Sequence, residues 1–170
     1  MERMHMSLIF LLRHAKAVRA QPAISDYDRP LDDEGQESLD ALSKTMRGSG
    51  SLPQRVVLSG SQRTRETAYG LLERLDAEIE TIVDDTIYSG SAKEYLTAIH
   101  THGDVDRLML VGHNPSIEDL ALKLCTRSDA QSLKLLNAGF PTAGLATISF
   151  DGPLNEVAYG SCVLKSFPLP

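Results

Sequence analysis

Four short apolar runs, at residues 7–13, 55–58, 80–83 and 107–111, recur along the chain, separated by longer segments with helical periodicity. The first run is continuously apolar rather than alternating, as in a strand buried on both faces, and the other three read as further short strands. Helices are predicted between them, over about 34–47, 62–75 and 91–102. Strands that alternate with helices make a largely parallel sheet with helices on both sides. The expectation is one α/β domain over residues 1–170, a three-layer α/β/α sandwich, with residues 1–6 as a flexible N-terminal extension.

Local signals set the boundaries. Residues 17–33 hold Pro22, Pro30 and four aspartates and are read as a loop. Asp32 or Asp33 caps the first helix, which stops at Gly48-Ser49-Gly50. Ala68, Leu71, Leu72 and Leu75 share one face of the second helix. Asn114-Pro115 is read as an N-cap followed by a first-turn proline, opening a fourth helix to about 125. Residues 126–142 are mixed. Strands at 144–150 and 156–163, joined by a turn at Asp151-Gly152-Pro153, form an antiparallel terminal hairpin.

The apolar start is too short to be a secretory segment. Leu8–Leu12 is five residues, against roughly 7–15 for such a core, and Arg13, His14 and Lys16 sit where a cleavage site should be neutral. Met1, Met4 and Met6 are alternative translation starts. No apolar run reaches the ~18–20 residues that span a bilayer, so no membrane role is expected. A net charge of −6 argues against binding nucleic acid by neutralising phosphates. Cys125 and Cys162 stand apart, in no metal spacing, and fit a reducing cytoplasm as small buried hydrophobes.

In such sheets, ligands bind beyond the carboxyl ends of the strands. Three ends carry chemistry. The first run ends at Arg13-His14. The second ends at Ser59, with Arg63 and Arg65 opening the next helix. The fourth ends at Gly112-His113-Asn114. Two imidazoles and two or three guanidiniums suit a phosphoryl group. Arginine's planar fork matches its oxygens, and helix N-termini near 62 and 115 add backbone donors. One neutral imidazole can attack phosphorus while the other, with the arginines, stabilises the oxygens.

At these residues the sequence resembles the histidine phosphatase superfamily, over most of the chain. Arg13-His14 resembles the arginine–histidine pair of that family's first strand. Ser59-Gly-Ser-Gln-Arg63-Thr-Arg-Glu-Thr67-Ala68 resembles its S-x-x-x-R-[AT]-x-x-T-A segment, and Gly112-His113-Asn114-Pro115 its second histidine motif. Arg-His-Ala-Lys-Ala at 13–17, Asp28-Arg-Pro-Leu31 with Gly35, Arg63-Thr-Arg65 and Pro141-Thr-Ala-Gly-Leu145 point to the small SixA-type phosphohistidine phosphatases. Ala15 stands where phosphoglycerate mutase relatives usually carry glycine, a departure typical of that branch.

The resemblance implies the phosphoglycerate mutase-like fold, a phosphorylated substrate and no cofactor or metal. It makes His14 the nucleophile, with Arg13, Arg63 and His113 binding and stabilising the phosphoryl group. Many superfamily phosphoesterases place a carboxylic acid after the third strand; here Asp84 and Asp85 are the only candidates. A P–N bond needs less help than an ester, because its imidazole can be protonated from solvent. The short connections leave room for a phosphohistidine-bearing signalling protein. The expected function is therefore a metal-independent phosphatase acting through a phosphohistidine intermediate. A small-molecule phosphomonoesterase and a non-catalytic phosphate- or phosphoprotein-binding module are the alternatives.

Plainer roles compete at the remaining positions. Arg65 points to another helix face and is a salt-bridge candidate for Glu66 or Asp28, or a lesser phosphate contact. Ser59 is a turn residue or, less directly, a phosphate contact. Asp84 and Asp85 suit solvated loop charges as well as acids. Lys16, His5, His100 and His102 are read as surface residues, and Pro141–Leu145 as structural.

Overall fold

In the computed structural model, which describes residues 5–167, the chain runs β1 (Met6–Arg13), α1 (Asp33–Ser49), β2 (Arg55–Leu58), α2 (Gln62–Leu75), β3 (Glu80–Val83), α3 (Thr86–Ser89), α4 (Ala92–His102), β4 (Arg107–Gly112), α5 (Ser116–Leu124), α6 (Ala130–Asn137), β5 (Leu145–Asp151) and β6 (Val163–Ser166). The strands form one sheet in the order β3-β2-β4-β1-β5-β6. β1 to β4 are mutually parallel where they pair. β5 is antiparallel to β1, and β6 to β5.

Period-two alternation within each strand divides the core into two layers. Phe10, Leu12, Val56, Leu58, Met109 and Val111 face Leu39, Leu42 and Met46 of α1 and Ala68, Leu71 and Leu75 of α2. Ile9, Leu11, Val57, Leu108 and Leu110 face the opposite way, onto Ile87, Tyr95, Ile99, Ile117, Leu120 and Leu124. Helices thus cover both faces, as the apolar runs predict.

The capping expectations divide. Asp32 caps α1, its side chain accepting from Gly35 N–H at 2.8 Å, and α1 ends at left-handed Gly50. Asn114 does not cap α5. Pro115 occupies that position, after a cis peptide, and the Asn114 amide instead donates to the Phe140 carbonyl at 2.9 Å. The N-terminal boundary also shifts: Met6 opens β1 and the His5 carbonyl accepts from Gly152 N–H at 2.7 Å. Residues 1–4 of the expected extension lie outside the described residues.

Three elements differ from expectation. The mixed segment 126–142 contains α6, capped by Asp129; of its residues only Leu136 is buried, so it has no apolar stripe to read. α3 is a single turn. The terminal antiparallel pair exists, but its second strand is 163–166 rather than 156–163. Leu154, Val157 and Cys162 are drawn into the core beside α4 and α5, so the segment after β5 packs as an irregular connection with a 3₁₀ turn at Leu154–Glu156.

Register sets the site. Arg13 pairs with Gly112, and Leu58 with Val111, so β1, β4 and β2 end level with one another. Gly112 is required here: a Cβ would run into the Tyr95 ring, whose hydroxyl accepts from His113 N–H at 2.9 Å. We predict that Gly112→Ala lowers stability by about 1–3 kcal/mol through overpacking. Urea unfolding of the variant with Tyr95 intact, and again with Tyr95→Leu to open space, tests this. Equal instability in both would refute the packing explanation.

Candidate functional site

Arg13 and His14 leave β1 with their backbones clamped to the 140–144 loop. Arg13 N–H donates to the Gly144 carbonyl at 3.1 Å, and Ala143 N–H to the His14 carbonyl at 3.1 Å. Across the level strand ends, α2 brings Arg63 and β4 brings His113. The two imidazoles lie 5.3 Å apart by ring centroid. Arg13, His14, Arg63 and His113 line one cavity of about 310 Å³, with Lys16, Arg29, Asn114 and Thr142. No carboxylate among the described residues lines it.

The His14 ring is fixed by its neighbour. Its Nδ1 lies 2.7 Å from the Ala15 carbonyl oxygen. A carbonyl can only accept, so Nδ1 carries the proton and Nε2 the lone pair. Ala15 is itself held, donating to Thr67 Oγ1 at 3.0 Å, and Thr67 donates to the Arg63 carbonyl at 2.6 Å. The threonine of the α2 motif therefore ties the first strand end to the second.

Arg63 is only 5% exposed. Its Nε donates to His14 Nε2 and its Nη2 to His113 Nδ1, each at 3.3 Å. Asp26 balances its charge, accepting from Nη2 at 3.1 Å, while the Asp26 carbonyl accepts from Nη1 at 2.6 Å. Asp26 also accepts from the Tyr88 hydroxyl at 2.6 Å and from Arg29. The Tyr88 hydrogen bond first, then those from Arg29 and Arg63, hold its carboxyl well below the usual range.

Burial is the main cause of the histidine shifts. His14 is pushed down to about 4, against the pull of the Ala15 carbonyl and helped by Arg63, Arg13 and Arg29. His113 falls to about 3, by burial and then by His14 and Arg63. Both rings are neutral at pH 7. Burial also lowers the Arg13 pKa. Arg13 Nη1 donates to the Phe140 carbonyl at 2.9 Å, while its Nε–H has no partner among the described residues.

The other sequence candidates stand apart. Ser59 is fully buried, and its Oγ lies 2.6 Å from His113 Nε2, behind the ring rather than in the cavity. Arg65 donates to the Gly60 carbonyl at 2.8 Å, with no ion pair to Glu66 or Asp28; α2 turns it away from the cavity. The Asp85 carboxylate accepts from Gly60 N–H and the Tyr27 hydroxyl, bracing the loop before α2. Asp84 accepts from Thr86 and faces His102 at 3.1 Å. Burial raises the Asp84 pKa, but the bonds from Thr86 and His102 prevail and lower it, the wrong direction for an acid. His102 is thus a half-buried partner of Asp84, not a free surface residue.

Sequence reading missed Arg29 and Thr142 as cavity residues and Asp26 and Tyr88 as supports. Lys16, expected to be solvated, reaches the cavity wall while half exposed and paired with Glu34 at 2.6 Å. Arg29 and Asp26 lie in a loop without periodicity. The 28–31 motif marks Arg29 without assigning it a role, and Asp26 lies outside it.

The sequence pattern of the histidine phosphatase superfamily (branch 1) matches residues 9–87. An uncharacterised chloroplast protein of Arabidopsis thaliana is 31% identical over 140 residues, 76% of this chain. The match spans 63% of that relative, less than two thirds of its length. Two solved structures cover nearly all of both chains. The candidate phosphohistidine phosphatase SixA of Agrobacterium tumefaciens is 28% identical with a TM-score of 0.83, over 96% of this chain and 98% of its own. Its counterpart from Nakamurella multipartitia is 25% identical with a TM-score of 0.84, over 97% and 96%.

The buried neutral imidazoles make stability depend on pH. Unfolded histidine titrates near 6.5, and folded His14 near 4. Between these values the unfolded chain binds more protons, so stability is full above about pH 6.5 and declines as pH falls toward 4. Urea unfolding at pH 7.5, 6 and 5 should show the decline, and His14→Gln should make it shallower, leaving the part due to His113. An unchanged slope in the variant would contradict the assignment.

Proposed function

We propose that this chain belongs to the histidine phosphatase superfamily and is a phosphatase that removes phosphoryl groups through a phospho-His14 intermediate, without a metal ion. The observation that carries the reading is the His14 tautomer: the Ala15 carbonyl holds the proton on Nδ1, leaving the Nε2 lone pair beside Arg63. A neutral, oriented imidazole in a cavity lined by cations is what in-line attack on phosphorus needs.

The steps follow from the geometry. The phosphoryl oxygens take over donors of Arg13 and Arg63, including those that Arg63 gives to the imidazoles when no substrate is bound. His14 Nε2 forms a bond to phosphorus as the bond to the leaving group breaks. Water then attacks phospho-His14, releasing phosphate and restoring the neutral ring. The guanidiniums stabilise the equatorial oxygens in both steps. Thr142 and Asn114 line the same cavity, and on this reading they border the rest of the substrate.

The leaving group is the finer part of the proposal. Asp84 is held as a carboxylate away from the cavity, Asp85 braces the Gly60 loop, and Asp26 is committed to three cationic or hydroxyl partners. With no acid lining the cavity among the described residues, the substrate should be one whose leaving nitrogen takes its proton from water. Protein phosphohistidine fits, since its imidazole is basic near neutral pH. An alkoxide does not.

Phosphate release from a phosphohistidine-bearing protein and from an aryl phosphate, without added metal, tests this. We expect the phosphoprotein to be preferred and His14→Ala to lower release by about a thousandfold or more. The free-enzyme kcat/KM should fall as pH drops through about 4, where His14 protonates. Preference for the aryl ester would make the protein a small-molecule phosphomonoesterase. Phosphate binding with no His14-dependent release from either substrate would make it a binding module.

A further inference from the structure

Behind His113 lies a buried cluster of hydroxyls that the proposed chemistry does not use. Ser59 Oγ is 2.6 Å from His113 Nε2 and 2.9 Å from Thr64 Oγ1, and Ser61 Oγ is 2.9 Å from Thr64 Oγ1. Ser59, Ser61 and Thr64 are all fully buried. The Thr64 hydroxyl has carbonyl acceptors at Ser59 and Ser61, at 2.6 and 2.9 Å. On the cavity side of the same ring, Arg63 Nη2 meets Nδ1. A guanidinium cannot accept, so Nδ1 holds a lone pair and Nε2 the proton. Nε2–H therefore donates to Ser59 Oγ.

We propose that Ser59, braced by Thr64, is a positioning residue that keeps the proton of neutral His113 on Nε2, so that Nδ1 takes up a second proton when a phosphoryl group binds and donates it as an N–H to a phosphoryl oxygen. This rests on the reading above only in supposing that the phosphoryl group occupies the cavity. The balance is simple. The free ring carries one proton, binding of a phosphate dianion adds one from solvent or brings it on a monoprotonated oxygen, and none leaves Nε2.

The surroundings support the assignment. His113 is faced by Arg63, by Arg13 and the His14 ring across the cavity, by Asp26, and by the Tyr88 ring edge at 5.4 Å between centroids. The cations and burial keep the free ring neutral. An entering dianion reverses that balance locally, and Ser59 Oγ remains the acceptor for Nε2–H in the protonated ring. An alanine at 59 would leave Nε2–H buried without a partner and let either nitrogen carry the proton.

Histidine ¹⁵N NMR of the full chain, with inorganic phosphate as probe, reads the protonation of each ring nitrogen. In the wild type we expect His113 protonated on Nε2 alone, then on both nitrogens with phosphate. Ser59→Ala should give mixed tautomers and phosphate binding weakened about tenfold. Thr64→Ser keeps the bracing hydroxyl and should retain the wild-type pattern, which separates a lost hydroxyl from a disturbed fold. An Nδ1–H tautomer in the free wild type, an unchanged ring on phosphate binding, or a wild-type pattern in Ser59→Ala would each overturn the proposal. The expected NMR pattern without turnover of any phosphorylated substrate would sink the catalytic reading and support this one.

Discussion

The Arg63 guanidinium is the interaction on which the site depends. Buried at the start of α2, it reaches the lone pairs of both imidazoles and is held from behind by the side chain and carbonyl of Asp26. Burying a charge costs several kcal/mol unless it is paired and fully hydrogen-bonded. The loop that carries Asp26 and Arg29, and the α3 turn that carries Tyr88, are thereby tied to one side chain. Elements remote in sequence meet because that cation must be satisfied.

The same arrangement gives an acidic protein a locally cationic cavity. With a net charge of −6, the surface does not attract anions in general. The cavity does, because four cationic side chains line it while the nearest carboxylates are turned outward or committed. Arg63 donates to the two ring nitrogens at 3.3 Å, long for hydrogen bonds, so an anionic oxygen would be a better partner for the same donors. Asp26 and the two imidazoles keep the Arg63 donors aimed without leaving a bare buried charge.

Much of the fold was legible in the sequence. Short, mostly apolar runs bounded by polar turns leave few options besides strands, and their alternation with helices selects a parallel sheet. What failed did so for local reasons. α6 buries too little to show a stripe, α3 is too short to have a period, and 156–163 alternates weakly but is captured by core packing at Leu154, Val157 and Cys162. At Asn114 the usual cap-and-proline signal misled, because its amide is used to hold the Phe140 carbonyl and Glu118.

The sequence by itself determined which side chains end the strands: Arg13 and His14 after one apolar run, Ser59 after the next, His113 after the fourth, with Arg63 a fixed step into the helix. Those follow from strand length and helix start, which are local. Only the tertiary structure decided what each does. The register that levels three strand ends, the Ala15 carbonyl that sets the His14 tautomer, the turning of Ser59 behind His113 and of Asp84 towards His102, and the recruitment of Asp26 from a loop all depend on contacts between segments far apart in the chain. Such contacts leave no periodic trace in sequence, because a hydrogen bond fixes two positions in space without fixing their separation along the backbone.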